Sequence, residues 1–289
     1  MQQIENKYLK IQIAEKGAEL QSIVLKDTNT EYLWNADPKF WAKKSPVLFP
    51  IVGGLKNNSY TYEGKNYSMG RHGFARDMNF SVADQTQDSI VYTLMSNETT
   101  LEKYPFQFQF SVRYSLTENK LTITYIVENK DAKEMFFSVG AHPAFKVPVV
   151  EETSFEDYYL LFNKKENIGH WPLSDEGLIE QEPESFLENT DKLPLKKELF
   201  YKDALVFKHL NSSTISIKSD KTERGITVAF DGFPYMGIWN AKDADFICIE
   251  PWLGIADSVN ATGNLQEKEG IISLGIGKTF EASWSIELF

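Results

Sequence analysis

Apolar and polar residues alternate along most of this chain with a period of two, as expected of strands that bury one face. Leu9, Ile11 and Ile13 alternate with Tyr8, Lys10 and Gln12, and Gly17 separates them from a second run over Leu20 to Leu25. Tyr32-Leu33-Trp34 reads as a further short strand. From Ser89 the signal is dense, over Ser89 to Met95, Phe106 to Leu116, Leu121 to Val127 and Phe136 to Val139. It returns over Ala204 to Phe207, Ser213 to Ile217, Ile226 to Phe230, Met236 to Trp239, Phe246 to Ile249 and Thr279 to Leu288. Glu63-Gly64-Lys65 and Thr117-Glu118-Asn119-Lys120 supply hairpin turns. Helical periodicity nowhere exceeds two turns, and no strand–helix–strand alternation occurs. The pattern predicts an all-β chain, a large antiparallel two-sheet β-sandwich, over one domain spanning 1–289. Residues 150–199 are more charged and less periodic, and read as an insertion with short strands such as Tyr158 to Phe162.

Two stretches break the alternation. Ser45 to Gly54 is an apolar run bracketed by Pro46 and Pro50 and ended by Gly53-Gly54. It is too short for a helix and suits backbone that passes close to another segment. Arg71-His72-Gly73-Phe74-Ala75-Arg76-Asp77 is polar yet contains Gly and Phe, a mixture that suits a pocket-lining loop.

Composition narrows the function. Aromatics are mainly Phe and Tyr, 20 and 13 against 6 Trp, which favours strands and provides rings able to stack on a sugar or base. Net charge is −11 with the basic residues scattered, so neither nucleic acid nor an anionic membrane is an expected partner. Cys248 is the one cysteine and lies in an apolar run; it reads as a small buried hydrophobe and excludes a disulfide framework. The N-terminus lacks the apolar core of a signal peptide, and no apolar run approaches the roughly 18–20 residues that span a bilayer. A cytoplasmic location is expected.

Two residues stand out chemically. His142 follows Gly140-Ala141 and precedes Pro143 at the end of a strand-like run. Proline disfavours helix at the preceding residue, so His142 is held extended where a ring can point into a cleft. An acid–base histidine and a half-buried histidine in a bend both satisfy this. Glu250 follows Phe246-Ile247-Cys248-Ile249 and precedes Pro251-Trp252. Desolvation there raises a carboxylate's pKa and makes it a better base; a strand-capping ion pair is the alternative. Asp203, before Ala204 to Phe207, is a weaker candidate or a turn aspartate, and His170 reads as a loop histidine. No dinucleotide, phosphate-loop, zinc-protease or nucleophile-elbow motif is present, and no two histidines have ligand spacing, so no metal is expected. Glu250 with Asp203 would suit glycoside hydrolysis. A histidine with a glutamate suits reversible proton transfer near neutral pH, which requires no cofactor.

Phe49-Pro50-Ile51-Val52-Gly53, Arg71 to Asp77, Gly140 to Phe145, Lys202-Asp203-Ala204-Leu205 and Cys248-Ile249-Glu250-Pro251-Trp252 occur in that order. Together they resemble the aldose 1-epimerase (galactose mutarotase) superfamily in its LacX-like branch, over essentially the whole chain. The resemblance implies a β-supersandwich and a cofactor-free mutarotase acting on a small-molecule sugar, an aldohexose. It assigns His142 as the general acid toward the ring oxygen and Glu250 as the general base toward the anomeric hydroxyl. His72 and Asp203 are implied to bind sugar hydroxyls, and Trp252 and Phe74 are expected to offer apolar faces. Relatives in this branch commonly carry arginine where this chain has Gly54; Lys44, Lys56, Arg71 and Arg76 are the candidate substitutes, with Arg76 favoured. A sugar-binding protein without catalysis and a hexose 6-phosphate mutarotase are the alternatives. The second ranks lower because no cluster of arginines accompanies the motifs. The sequence is silent on oligomeric state.

Overall fold

The computed structural model describes residues 1–289. Most of the expected strands form and pair antiparallel; Tyr32-Leu33-Trp34 does not, since the strand there is Thr30–Glu31 and Leu33 makes only an isolated bridge to Phe145. The largest sheet has nine strands. Its spatial order is Glu184–Pro194, Tyr158–His170, Thr214–Ser219, Thr222–Ala229, Thr279–Leu288, Lys120–Asn129, Phe108–Thr117, Ser89–Met95 and Ser81–Gln85. A second sheet contains, in order, Leu205–Lys208, Tyr235–Trp239, Phe246–Leu253, Val139–Ala141 and Val47–Leu48, with Ala144–Lys146 also paired to Phe246–Leu253. The first 31 residues form a four-stranded sheet. The only α-helix, Glu98–Lys103, is closed by a capping box between Asn97 and Thr100. No helix is long and apolar enough to cross a membrane.

These three larger sheets, which two two-stranded ones accompany, share one core, to which each contributes the alternate residues of its strands: Ile11 and Ile13, Phe110 and Val112, Ile247 and Ile249. Buried tyrosines tie the layers through their hydroxyls. Tyr114 donates to the Ala18 carbonyl at 2.6 Å, and Tyr104 to that of Phe136 at 2.8 Å. Tyr125 donates to the Gly140 carbonyl at 3.2 Å and accepts from Trp284 Nε1 at 3.1 Å, linking the nine-stranded sheet to the strand before His142. Tyr125→Phe would leave the indole N–H without its acceptor. We expect it to destabilise the fold by about 1–3 kcal/mol, read as a lower urea midpoint at unchanged slope.

The insertion expected over 150–199 differs from that reading. Tyr158 begins a 13-residue strand, not a short one, and it pairs with the 11-residue strand Glu184–Pro194. Its register shifts between Leu161 and Glu166 and again on either side of Ile168, which destroys the alternation. Glu166 is fully buried and accepts from the Asn211 and Ser212 amides at 3.1 and 2.7 Å, so its polarity misstates its environment. His170 ends this strand beside Glu184, at 3.5 Å, and is not a loop residue.

Candidate active site

Phe246–Leu253 is the strand around which the site is built. Its Ile247 and Ile249 enter the main core, while Phe246, Cys248, Glu250 and Trp252 share the opposite face. Val139 and Gly140 pair with Leu253 and Trp252, and Ala144, Phe145 and Lys146 with Cys248, Ile247 and Phe246. The register runs unchanged across the gap at His142-Pro143, where proline has no amide hydrogen to donate. His142 therefore stands opposite Glu250, with its Nε2 3.4 Å from Oε2. Gly237 flanks Glu250 on the other side, and a Cβ there would lie 2.4 Å from the Trp252 ring. Glycine at this position makes room for the indole.

Both side chains are buried, His142 at 9% and Glu250 at 1% exposure. Trp41 stacks on the imidazole at 4.9 Å and 26°, and Trp239 meets its edge at 5.6 Å. Burial lowers the His142 pKa to about 3, opposed by the nearby polar backbone of His142 itself and helped by the positive charges of Arg76 and Arg71. Burial likewise raises the Glu250 carboxyl well above its ordinary range. The Trp252 indole N–H acts the other way without making a hydrogen bond of ordinary geometry. His142 Nδ1 and Glu250 Oε2 have no partner.

The pair thus holds one proton from about pH 3 up to the raised value of Glu250. In the unfolded chain the two groups titrate at their ordinary 4.5 and 6.5, so they hold two protons below 4.5, one between, and none above 6.5. The unfolded chain binds the extra proton below 4.5, and the native pair does so above 6.5; the pair therefore favours folding most between these values. Glu250→Gln removes the alkaline part. Its stability is expected to fall less than that of the wild type between about pH 6.5 and 8.5, the difference reaching at most about 1.4 kcal/mol per pH unit in urea titrations.

His72 reaches the pair from the Arg71–Asp77 loop. Its amide donates to the Gly53 carbonyl at 2.9 Å, and its Nδ1 accepts from the Gly53 amide at 3.1 Å. That bond leaves Nε2 to carry the proton as a donor. Burial first, and then His142, Arg76 and Arg71, keep the ring neutral. Its ring centroid lies 5.6 Å from that of His142. Phe74 and Ala75 donate to the Phe49 carbonyl, so the apolar Ser45–Gly54 run does carry the close approach its glycines predict. Gly73 has φ +69°, and a Cβ there would lie 2.3 Å from Phe49 O. Only glycine permits that approach.

These groups line one cleft of about 540 Å³, together with Asp203, Trp252 and Gly54. Asp203 accepts from the Ala204 amide at 2.7 Å, which orients its carboxylate. One expectation requires correction. Phe74 does not line the cleft: it is 7% exposed and packs against Phe49, Tyr104 and Phe108 in the core. Arg76 does line it; its Nη2 donates to the Arg71 carbonyl at 2.9 Å, and its buried Nε lies 3.7 Å from Asp77 without a hydrogen-bond partner. Arg71 has no such ties, and its guanidinium lies against Gly177, itself beside Gly54. The reading from sequence passed over Trp41 and Trp239, whose signal was only that tryptophan is scarce in a chain rich in Phe and Tyr.

His142, Cys248 and Glu250 place their ligand atoms within 4.8 Å of one another. Burial pushes the Cys248 thiol well above its ordinary range, so a cation here would have to offset the cost of ionising it. A cation there would also occupy the space the acid–base pair faces. A buried histidine and carboxyl 3.4 Å apart can move one proton between two neighbouring atoms of a small polar molecule.

Known proteins match this chain along its length. The aldose 1-epimerase family profile covers residues 1–272. The LacX protein of Lactococcus lactis subsp. lactis is 34% identical over 296 aligned positions, covering 99% of this chain and 98% of its own. Among solved structures, a galactose mutarotase related enzyme from Lactobacillus acidophilus is 38% identical with a TM-score of 0.95, covering 100% of this chain and 97% of that one. A galactose mutarotase-like protein from Lactobacillus casei is 33% identical with a TM-score of 0.91, and each chain is covered completely. With the family profile matching residues 1–272 and relatives above 30% identity covering the whole length, the chain belongs to the aldose 1-epimerase family.

Proposed function

We propose that the protein interconverts the α and β anomers of an aldose, with Glu250 as general base and His142 as general acid. The observation that carries this reading is the 3.4 Å separation of His142 Nε2 and Glu250 Oε2 at the buried end of the cleft. Mutarotation needs a base at the anomeric oxygen and an acid at the ring oxygen. Both oxygens are bonded to C1, so the two catalytic groups must stand side by side. The reaction in this direction requires the shared proton on His142 in the sugar complex, whereas burial holds it on Glu250 in the free cleft.

Glu250 takes the proton of the anomeric hydroxyl while His142 protonates the ring oxygen, and the bond from C1 to that oxygen breaks. The product is an open-chain aldehyde. Rotation about the C1–C2 bond presents the other carbonyl face, and ring closure returns each proton to where it began. His72 donates through Nε2, and Asp203 accepts, from hydroxyls elsewhere on the ring. Trp41, Trp239 and Trp252 supply apolar faces for its C–H surfaces.

Polarimetry or NMR exchange on freshly dissolved aldoses tests the proposal. Conversion is expected to exceed the spontaneous rate in the same buffer. An unchanged rate for every neutral and acidic aldose tried would end it.

A further inference from the structure

Two neighbouring groups are buried without a hydrogen-bond partner: Nε1 of Trp252, a donor, and Oε2 of Glu250, an acceptor. Both side chains stand on one face of Phe246–Leu253, two residues apart, with about 7 Å between their Cα atoms. Two glycines on the flanking strands let the indole lie across that face. A Cβ on Gly140 would fall 2.8 Å from its Cδ1, and one on Gly237 would fall 2.4 Å from Cζ2 and 3.1 Å from Cε2. Cδ1 and Cε2 are the two atoms bonded to Nε1. Gly140 pairs with Trp252 and Gly237 with Glu250. The edge that carries the N–H therefore runs from the level of its own residue to that of the carboxyl.

Other elements supply the charged and titratable groups around Glu250. His142 comes from the segment between Val139–Ala141 and Ala144–Lys146, and Cys248 from the same strand as the glutamate. Arg71, His72 and Arg76 come from the Arg71–Asp77 loop, and Asp203 from the turn before Leu205–Lys208. Tyr235–Trp239 sets only Gly237, Ile238 and Trp239 against Glu250, Ile249 and Cys248. None of these groups donates to Oε2. The indole N–H is the unused donor beside it.

We propose that Trp252 is a positioning residue for the base: its N–H donates to Glu250 as the carboxyl gives up its proton, and so favours the form of the pair in which His142 carries it. The inference rests on the mutarotase reading for the roles of His142 and Glu250. The step is a transfer of one proton from the Glu250 carboxyl to His142 Nε2. A neutral carboxyl gains little from the nearby N–H; ionisation turns the same approach into a charge-assisted hydrogen bond, about twice as strong as a neutral one.

The test removes the N–H in two ways: Trp252→Phe, and 3-benzothienylalanine in place of Trp252, which keeps both fused rings. Either change destabilises equally the two forms with an ionised Glu250, the working one and the fully deprotonated one. At neutral pH kcat/KM is expected to fall about 10- to 100-fold, through kcat more than KM. The alkaline limb of the profile is expected to move up by about one to two pH units, one for each tenfold loss. The deficit therefore closes as the pH rises past the wild-type limb. NMR anomer exchange with the spontaneous rate subtracted gives these values. A benzothienylalanine variant at the wild-type rate, or a deficit that leaves the limb in place, overturns the inference. In proton–nitrogen correlation spectra, the indole resonance that Trp252→Phe removes is expected to move downfield as Glu250 ionises and to stay still in Glu250→Gln. A resonance that titrates alike in both proteins, or in neither, also overturns it. If no sugar is turned over but this resonance follows Glu250, the contact holds and the mutarotase reading alone falls.

Discussion

Glu250→Gln is expected to lower the enzymatic rate of anomer exchange about 10²- to 10⁴-fold, the range that a positioned general base contributes. The amide keeps the size and shape of the carboxyl, so Trp252 and Gly237 stay packed around it while the capacity to take a proton is gone. His142→Asn removes the acid and is expected to fall by the same order. Because one proton relay needs both groups, the double variant should be slower than the worse single variant by no more than a few-fold. Single-turnover or NMR exchange rates with the spontaneous rate subtracted are the measurement. A full rate in either single variant, with circular dichroism showing a native fold, would remove that residue from the roles assigned to it.

Lys268→Met is expected to damage the fold severely, although Lys268 lies outside the cleft. Lys268 Nζ is buried and donates to Asp257 Oδ1 and to the Ile255 carbonyl, both at 2.7 Å. Asp257 in turn accepts from the Lys56 amide at 3.0 Å, and its own amide donates to the Gly54 carbonyl at 2.9 Å. Ala256 lies directly against Gly53, whose amide holds the His72 ring. The ion pair therefore sets the backbone on which His72 is hung. Burial lowers the Lys268 pKa, and the Asp257 charge opposes that shift. Removing the ammonium leaves a buried carboxylate uncompensated, which costs about 3–5 kcal/mol. Adding Asp257→Asn, which still accepts from the Lys56 amide, is expected to recover part of that loss. Urea unfolding of the three variants measures it. A single variant within about 1 kcal/mol of the wild type, the usual range of exposed ion pairs, would show that the pair is not held in a desolvated site.

The strands of the nine-stranded sheet were legible because alternation survives wherever one face meets the core. Phe108–Thr117 and Lys120–Asn129 are the clearest cases. Tyr158–His170 was legible only over its first residues, since bulges and the buried Glu166 overwrite the period of two. In the site, His142 and Glu250 were visible as a histidine before proline and a glutamate at the end of an apolar strand. Phe74 was misplaced because a phenylalanine between polar residues looks the same whether its ring turns to a cleft or to the core. Lys268 and Asp257 were invisible: each is a charged residue in a polar stretch, and only their mutual burial gives them importance.

By itself, then, the sequence determined the all-β class, the turns, and the residue types able to carry acid–base chemistry. These depend on local periodicity and on the chemistry of single side chains. The tertiary structure alone decided which of those residues meet. The ladder register sets His142 opposite Glu250 across more than a hundred residues of chain, and Gly140 and Gly237 leave room for Trp252. Residues scattered along the chain become the wall of one cleft because folding brings distant turns together, and charge acts through space and not along the sequence.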